Sequence, residues 1–325
     1  MAGGQERILR RRIKSVNSTK KITRAMELIA ASRIVKAQAR VRAAQPYSEG
    51  ITEVVRDLQA AGAGRDNPLL VAREEIRNVA FVAIAADRGL CGGYNSTVIR
   101  AVEARIKERI EQGQEYTLIT VGRKAESYFR YREYPIAESF SGFSESPTYE
   151  DARSVAAAIT PRFVGAEIDA VHLAYTLFRS AGVQDIVVQP LMPLAANEPS
   201  HADPATTTGE GAVAAAYEFE PSPDQILDAL LPRYAEARIY AALLNAAASE
   251  HAARQRAMKA ATDNAEDLIL SLTRVMNRAR QDTITTEIME IIGGAEALKS
   301  GGPSDDRLAS NRSSQGHDPQ PVPHG

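Results

Sequence analysis

The segment Asp87-Arg88-Gly89-Leu90-Cys91-Gly92-Gly93-Tyr94-Asn95 comes nearest, by residue type and spacing, to a site for chemistry. It follows a short apolar run, VAFVAIA at 79–85, and opens a helical pattern at Ser96. Its backbone amides therefore stand where a helix N-terminus can cradle a phosphate. The glycine spacing does not fit Gly-x-Gly-x-x-Gly, and the chain carries no Gly-x-x-x-x-Gly-Lys-Ser/Thr phosphate loop. Cys91 is of the right type for a nucleophile, but it has no evident histidine partner, and a lone cysteine is more often buried and inert. None of His172, His201, His251, His317 and His324 falls at metal-ligand spacing, and His251 reads as a packed or partner-facing residue. The expectation is a chain without catalytic residues, cofactor or metal. The glycines then serve a tight turn and a close approach of helix to sheet.

The elements that hold this turn alternate. Apolar runs at 79–85, 116–121, 136–140, 170–178 and 185–191 read as strands, the last two paired through a turn near Ala181 and Gly182. Helical patterns at 96–112, 123–132 and 149–163 lie between them, which predicts an α/β sheet that is at least partly parallel and covered on both faces. Neither Gly nor Pro occurs at 5–45 or at 233–292, so each stretch can form one long helix. At 1.5 Å per residue these are roughly 60 Å and 90 Å long, more than a domain's width. Pro46 is expected to bend or break the first helix, and Pro232 to kink the second.

The second helix carries a heptad seam: Ala237, Ala241, Leu244, Ala248, His251, Gln255, Met258, Thr262, Ala265, Ile269, Leu272, Met276 and Ala279. It is alanine-rich and polar in its middle, which suits a slender antiparallel pair enclosed by a partner. The fold class expected is α/β with long terminal helices: an antiparallel coiled coil of the N- and C-terminal helices plus a central Rossmann-like α/β domain. The boundaries are 1–61 for the first helix, 62–221 for linker and central domain with a loop at 197–211, and 222–298 for the second helix. Residues 299–325 form a Ser-, Gly-, Pro- and Asp-rich tail expected to be disordered.

The net charge of −2 conceals an asymmetry. Between Arg7 and Arg42 the charges are positive save Glu27, and they lie on all sides of the helix. Like charges repel along a helix, so an acidic partner or cavity is expected around it. Hydrophobic content is 44% and charged content 25%, ordinary for a globular protein. No run approaches the length of a membrane span. A single cysteine admits no intrachain disulfide and points to a reducing compartment.

Four blocks carry a specific resemblance. IKSVNSTKKITRAMELIAASRIVKAQ at 13–38, DRGLCGGYN at 87–95, SEHAARQRAMKAATDNAEDLI at 249–269 and ITTEIMEIIGGAEA at 284–297 resemble, in order, segments of the gamma subunit of F-type ATP synthases. The 197–211 loop and the tail after Leu298 look like additions to that pattern. The resemblance implies a central-stalk rotor with no ATP site of its own. It implies the α and β subunits of the catalytic head, the epsilon subunit and the c ring as partners. It also implies a peripheral location on the cytoplasmic face of a bacterial cell membrane, reached only through the complex. Carried over motif by motif, Met26 and Arg254 lie near the β lever loop. Arg280, Gln281 and Thr285 form an upper catch, and Tyr217 and Glu220 face the c ring and epsilon at the foot. A nucleic-acid-binding coiled coil would explain the basic helix but not the α/β domain. A Rossmann-like enzyme with helical arms would need a cofactor fingerprint that the chain lacks.

Overall fold

The computed structural model describes residues 2–194 and 222–300. The 197–211 loop, Tyr217, Glu220 and the tail from 301 lie outside the described residues. The elements in order are α1 (Ala2–Ala60), β1 (Asn78–Ile84), α2 (Tyr94–Glu111), β2 (Glu115–Val121) and α3 (Arg123–Tyr131). They continue with β3 (Glu138–Phe140), α4 (Tyr149–Val164), β4 (Ala170–Phe178), β5 (Gln184–Met192) and α5 (Pro223–Ser300). The chain divides into two compact units, 18–266 and the terminal segments 1–17 with 267–325.

In the larger unit the five strands lie in the order β3-β2-β1-β4-β5. β1 pairs parallel with β2 and β4, β2 parallel with β3, and β5 closes the edge antiparallel to β4. The alternation of side chains along β1 builds two cores. Val79, Phe81 and Ala83 pack with Val98, Val102 and Ile106 of α2 and Phe129 of α3. Ala80, Val82 and Ile84 face Ile159 and Phe163 of α4, together with Val55 and Leu58 of α1 and Leu227, Leu231 and Ile239 of α5. One face of the sheet is thus covered by α2 and α3 and the other by α4 and the terminal helices. This is why β1 reads as a continuous apolar run rather than an alternating one.

α1 and α5 run antiparallel within this unit. Lys20 pairs with Glu266 at 3.0 Å and the hydroxyl of Thr262 donates to that of Thr23 at 2.8 Å, while the other end is tied by Gly64 N–H to Asp224 at 2.9 Å. The seam residues of α5 from Ala237 to Ala265 are all buried or half-buried. α1 carries a matching seam that the sequence reading missed. Thr23, Glu27, Ala30, Ile34 and Ala37 are buried at steps of four, three, four and three, and Ile51, Val55 and Leu58 resume it. The signal was present as heptad spacing but was hidden by the basic residues around it. The buried carboxylate of Glu27 is held by both oxygens on Arg24, each at 2.9 Å.

Pro46 does not break α1, nor Pro232 α5; both helices are continuous through them. Each proline is exposed, as are Arg42 and Asp228 one turn earlier, so the carbonyl that loses its N–H partner lies on the solvent side of its helix. The interior penalty of proline is correspondingly reduced. α5 also continues through Gly293 and Gly294 to Ser300.

The terminal unit is the less buried of the two. Leu9, Ile13 and Val16 of α1 are half-buried, as are Ile269, Met276 and Ala279 of α5, and Leu272 is buried. From Ile284 to Lys299 every residue is exposed.

A glycine is required at 122. Its φ is +95°, and a Cβ there would lie 2.1 Å from the carbonyl oxygen of Ala85. Gly122→Ala combines left-handed strain with a backbone clash between neighbouring strand ends. It is expected to destabilise the chain by about 3 kcal/mol, read as a lower urea midpoint with unchanged m. An unchanged midpoint would show that the strand end relaxes freely.

Candidate functional site

The 87–95 turn sits where β1 ends and α2 begins, beside the end of β4. In a doubly wound sheet this reversal of strand order is where ligands enter. Here α5 occupies the position. Tyr94 donates its hydroxyl to the carbonyl of Ala246 at 3.1 Å, and Ser249 donates to the carbonyl of Thr176 at 3.0 Å. Arg254 reaches the carbonyl of Gly89 at 3.4 Å, and further along α5 Arg238 donates to Pro190 O at 2.9 Å. α5 residues between Ala246 and Ala252 are buried throughout. The side chains that suggested chemistry are therefore engaged in a joint between sheet and helix.

The motif residues serve that joint one by one. Asn95 caps the loop by accepting the N–H of Ala86 at 2.8 Å and donates toward the Cys91 sulfur at 3.2 Å. Cys91 is buried, and that burial pushes its thiol pKa up, so the thiolate a nucleophile needs is disfavoured. Of the three glycines only Gly92 has a positive φ, and a Cβ there would meet Ala257 of α5 at an ordinary 3.8 Å. The expected close approach of helix to sheet is thus not what the glycines provide. The turn itself is, with Leu90 also left-handed at φ 62° and exposed.

Asp87 organises the loop opposite. Its carboxylate accepts the backbone N–H groups of Gly142 at 2.9 Å and of Ser144 and Arg123 at 3.1 Å. Burial alone would raise its pKa, but these donors outweigh it and hold the carboxyl below the usual range. A depressed folded pKa contributes stability above the unfolded value near 4, and that stability is lost as pH falls through the folded pKa. Asp87→Asn is expected to flatten the acid limb of the stability curve below about pH 4 while lowering stability at pH 7. Urea midpoints across pH test this; parallel curves for both proteins would rule out the role given to Asp87.

That loop brings Glu145 to both terminal helices. Its carboxylate pairs with Arg33 of α1, and stands 3.7 Å from Arg88 of the turn and 3.7 Å from Arg254 of α5. Its carbonyl accepts Nε2–H of His251 at 3.0 Å, which fixes that tautomer. Next to it, Arg40 of α1 donates to Ser146 Oγ at 2.8 Å and to the carbonyl of Pro147. Arg254 also donates to Glu250 at 2.6 Å, one turn away on α5 and fully buried. Burial raises the pKa of Glu250, only partly offset by Arg254, and it lowers that of His251, leaving the imidazole neutral near pH 7. Of the two readings the sequence left open for His251, packed or partner-facing, its 2% exposure and its bond to the Glu145 carbonyl fit the packed one.

Comparison with known proteins bears on what this joint belongs to. The family described as ATP synthase matches residues 5–298. The ATP synthase gamma chain of Parafrankia sp. (strain EAN1pec) is 52% identical over 303 residues, covering 92% of this chain and 99% of that one. This chain belongs to the ATP synthase gamma-chain family. The gamma chains of Frankia casuarinae, 51% identical over 92% of this chain and 99% of its own, and of Mycolicibacterium smegmatis, 46% over 90% and 97%, match along the same span. Among solved structures, a chain of the Euglena gracilis mitochondrial ATP synthase shares the fold with a TM-score of 0.64 at 16% identity, covering 94% of this chain and 100% of that one. A chain of the Tetrahymena thermophila central stalk and c-ring structure does so at 0.55 and 23%, covering 74% and 99%.

As a gamma chain it is a rotary subunit of the ATP synthase complex rather than a catalytic one. No described helix is long and apolar enough to cross a membrane. The residues singled out from the sequence fall in different surroundings. Arg254 is buried in the joint, and Met26 is half-buried on α1 beside Glu27. Arg280, Gln281 and Thr285 are exposed on α5 in the terminal unit. The basic residues of α1 are partly neutralised within the chain: Lys20 by Glu266, Arg24 by Glu27 and Arg33 by Glu145. Arg7, Arg11, Arg12, Lys21, Lys36 and Arg42 stay exposed. Glu145, which meets α1, α5 and the 87–95 turn, was not found from the sequence, because a Glu in a loop after a short strand carries no pattern.

Proposed function

We propose that this chain is the central-stalk rotor that couples proton-driven rotation of a c ring to ATP synthesis and hydrolysis in an α/β catalytic head. The observation that carries the reading is the antiparallel α1/α5 pair, with an alanine-rich heptad seam and a basic outer surface on α1, onto which the sheet domain is fastened. Small seam residues keep the pair slender, and exposed cations attract acidic surfaces without deep interdigitation. Such a shaft acts as a ligand does. Its orientation favours one conformation of each catalytic subunit over the others, and turning it moves that preference from site to site.

In this reading Met26 meets the β lever loop. Arg254, being buried, serves that contact by holding α5 in place rather than by touching β. Arg280, Gln281 and Thr285 form the catch in the upper cavity, which their exposure permits. Tyr217 and Glu220 face the c ring and the epsilon subunit at the foot. The chain is peripheral, on the cytoplasmic face of a bacterial cell membrane, and is held there by the complex. The deciding experiment mixes the chain with matching α and β subunits and assays ATP hydrolysis. Sustained activity that appears only with the chain supports the rotor reading; α and β that ignore it overturn that reading. Arg280→Ala with Gln281→Ala is expected to lower ATPase activity several-fold while the melting temperature stays the same. Normal turnover of that variant would remove the catch assignment.

A further inference from the structure

We infer that the cavity between α1, α4 and α5 is a binding site for a small organic cation of the alkylammonium class. The inference does not depend on the rotor reading. The cavity opens where the helix seam parts. Between Ala37 and Ile51 the steps of four and three on α1 pass through Val41, Ala44 and Ser48, yet these three are only half-buried. Ala44 and Ser48 line a space of about 280 Å³ together with Ala237 and Ala241 of α5, whose methyl groups are too short to close it. The remaining walls are Tyr47 of α1, Tyr149 of α4 and Tyr240 of α5. An apolar cavity of about 150 Å³ already takes up benzene, so this one has room for a trimethylammonium group.

Two observations select the charge of the occupant. The first is the rings. Three tyrosines converge from three helices, and Tyr149 and Tyr240 stand edge to face with centroids 5.7 Å apart. Aromatic rings attract a cation through their quadrupole, most strongly where water is excluded, and cages of such rings recognise quaternary ammonium groups. The second is Glu236, half-buried on α5 next to Ala237 of the cavity wall. Its carboxylate accepts the Tyr149 hydroxyl at 2.7 Å. Burial, and then this carboxylate, push the Tyr149 phenol pKa up, so the ring stays a neutral donor. Among the described residues Glu236 forms no salt bridge. Arg40, one turn before Ala44, is engaged by Ser146 and Pro147. Arg153, one turn after Tyr149, pairs with Glu150, and Arg238 donates to the carbonyl of Pro190. A half-buried carboxylate without a counter-charge, beside tyrosine walls that hold no cation of their own, is complementary to an ammonium group.

The test titrates the full chain, labelled at its alanine methyls for NMR, with choline against equal sodium chloride. A parallel titration uses choline's uncharged isostere, with carbon in place of nitrogen. Choline is expected to shift the Ala237 and Ala241 methyl signals saturably, and the isostere to bind at least tenfold more weakly. Glu236→Gln, which keeps an acceptor for Tyr149, is expected to weaken choline at least fivefold and to leave the isostere as it was. Tyr240→Leu, which keeps the wall apolar but removes the ring, is expected to weaken choline by a similar factor. An isostere that binds as well as choline overturns the inference and leaves a merely apolar cavity. Alanine signals that choline does not move, or choline binding that both variants retain, overturn it as well.

Discussion

Arg254→Ala is expected to lower the unfolding free energy by about 3–5 kcal/mol at pH 7, because it leaves a carboxylate buried without its counter-charge. Glu250 is 1% exposed and its Oε1 accepts from Arg254 at 2.6 Å, while its Oε2 has no hydrogen-bond partner. The penalty should depend on pH with a definite sign. The folded pKa of Glu250 is raised by burial, and without Arg254 the main group lowering it is gone. A raised folded pKa stabilises the protonated folded state at low pH, and this is lost as pH rises from the unfolded value near 4.3 through the folded one. The variant is therefore closest to wild type near pH 4–5 and furthest from it at and above neutrality. Replacing both partners, Arg254→Met with Glu250→Leu, should recover most of the loss, since apolar groups of similar size often match a buried pair. Urea unfolding of the two variants across pH checks the whole scheme. A single variant costing under about 1 kcal/mol at pH 7 would mean that water reaches Glu250.

Removal of residues 284–325 is expected to weaken binding to an α/β head about a hundredfold and to leave the rest of the fold in place. The fold should survive because the last half-buried position of α5 is Thr283, and every side chain from Ile284 to Lys299 is exposed. Binding should suffer because Ile284, Ile288, Ile291 and Ile292 lie at steps of four, three and one, on one helical face, with 43%, 50%, 72% and 54% of their surface in water. Burying such a side chain contributes about 1.5–3 kcal/mol when complete. A net gain of about 2.7 kcal/mol from four of them, after ordering costs, is a hundredfold in Kd. Titration of head subunits with full-length and shortened chains reads the difference directly. Equal affinities, with equal ATPase activity, would show that the exposed stripe meets no partner there.

The two units also invite different expectations for stability. The cores of the 18–266 unit gather both sheet faces and the ends of the terminal helices. The terminal unit buries Leu272 and half-buries a single file of neighbours. Helix pairs with so little buried apolar area open locally at low free energy. Exchange protection should accordingly be weakest in α5 beyond Ala279 and strongest in β1.

Much of this architecture was legible without coordinates. Strand and helix identity followed from local patterns: a seven-residue apolar run such as VAFVAIA, with β-branched and aromatic residues and a turn behind it, suits a buried strand, and a long stretch free of Gly and Pro has no internal reason to stop. The heptad file from Ala237 to Ala279 was readable for the same reason, since one helix shows its whole buried face in its own spacing. Four motif blocks named the family. The seam of α1 was equally periodic but went unread, because its Thr23, Glu27 and Ala30 are not apolar enough to stand out among arginines. That α1 runs unbroken through Pro46 was not legible, because sequence does not show that the proline falls on a wet face.

What only the tertiary structure decided is which groups meet across long separations. Glu145 with Arg33 and Arg254, Tyr94 with Ala246 and Asp87 with Gly142 join segments that no local rule connects. These contacts show what the 87–95 turn does instead of chemistry: it fastens sheet to shaft. The physical reason is general. Secondary structure follows from interactions within a few residues, which composition and spacing encode directly. The partner of a buried charge is fixed only when the packed chain brings it there, and one carboxylate in a loop reads the same in sequence whether it faces three arginines or water.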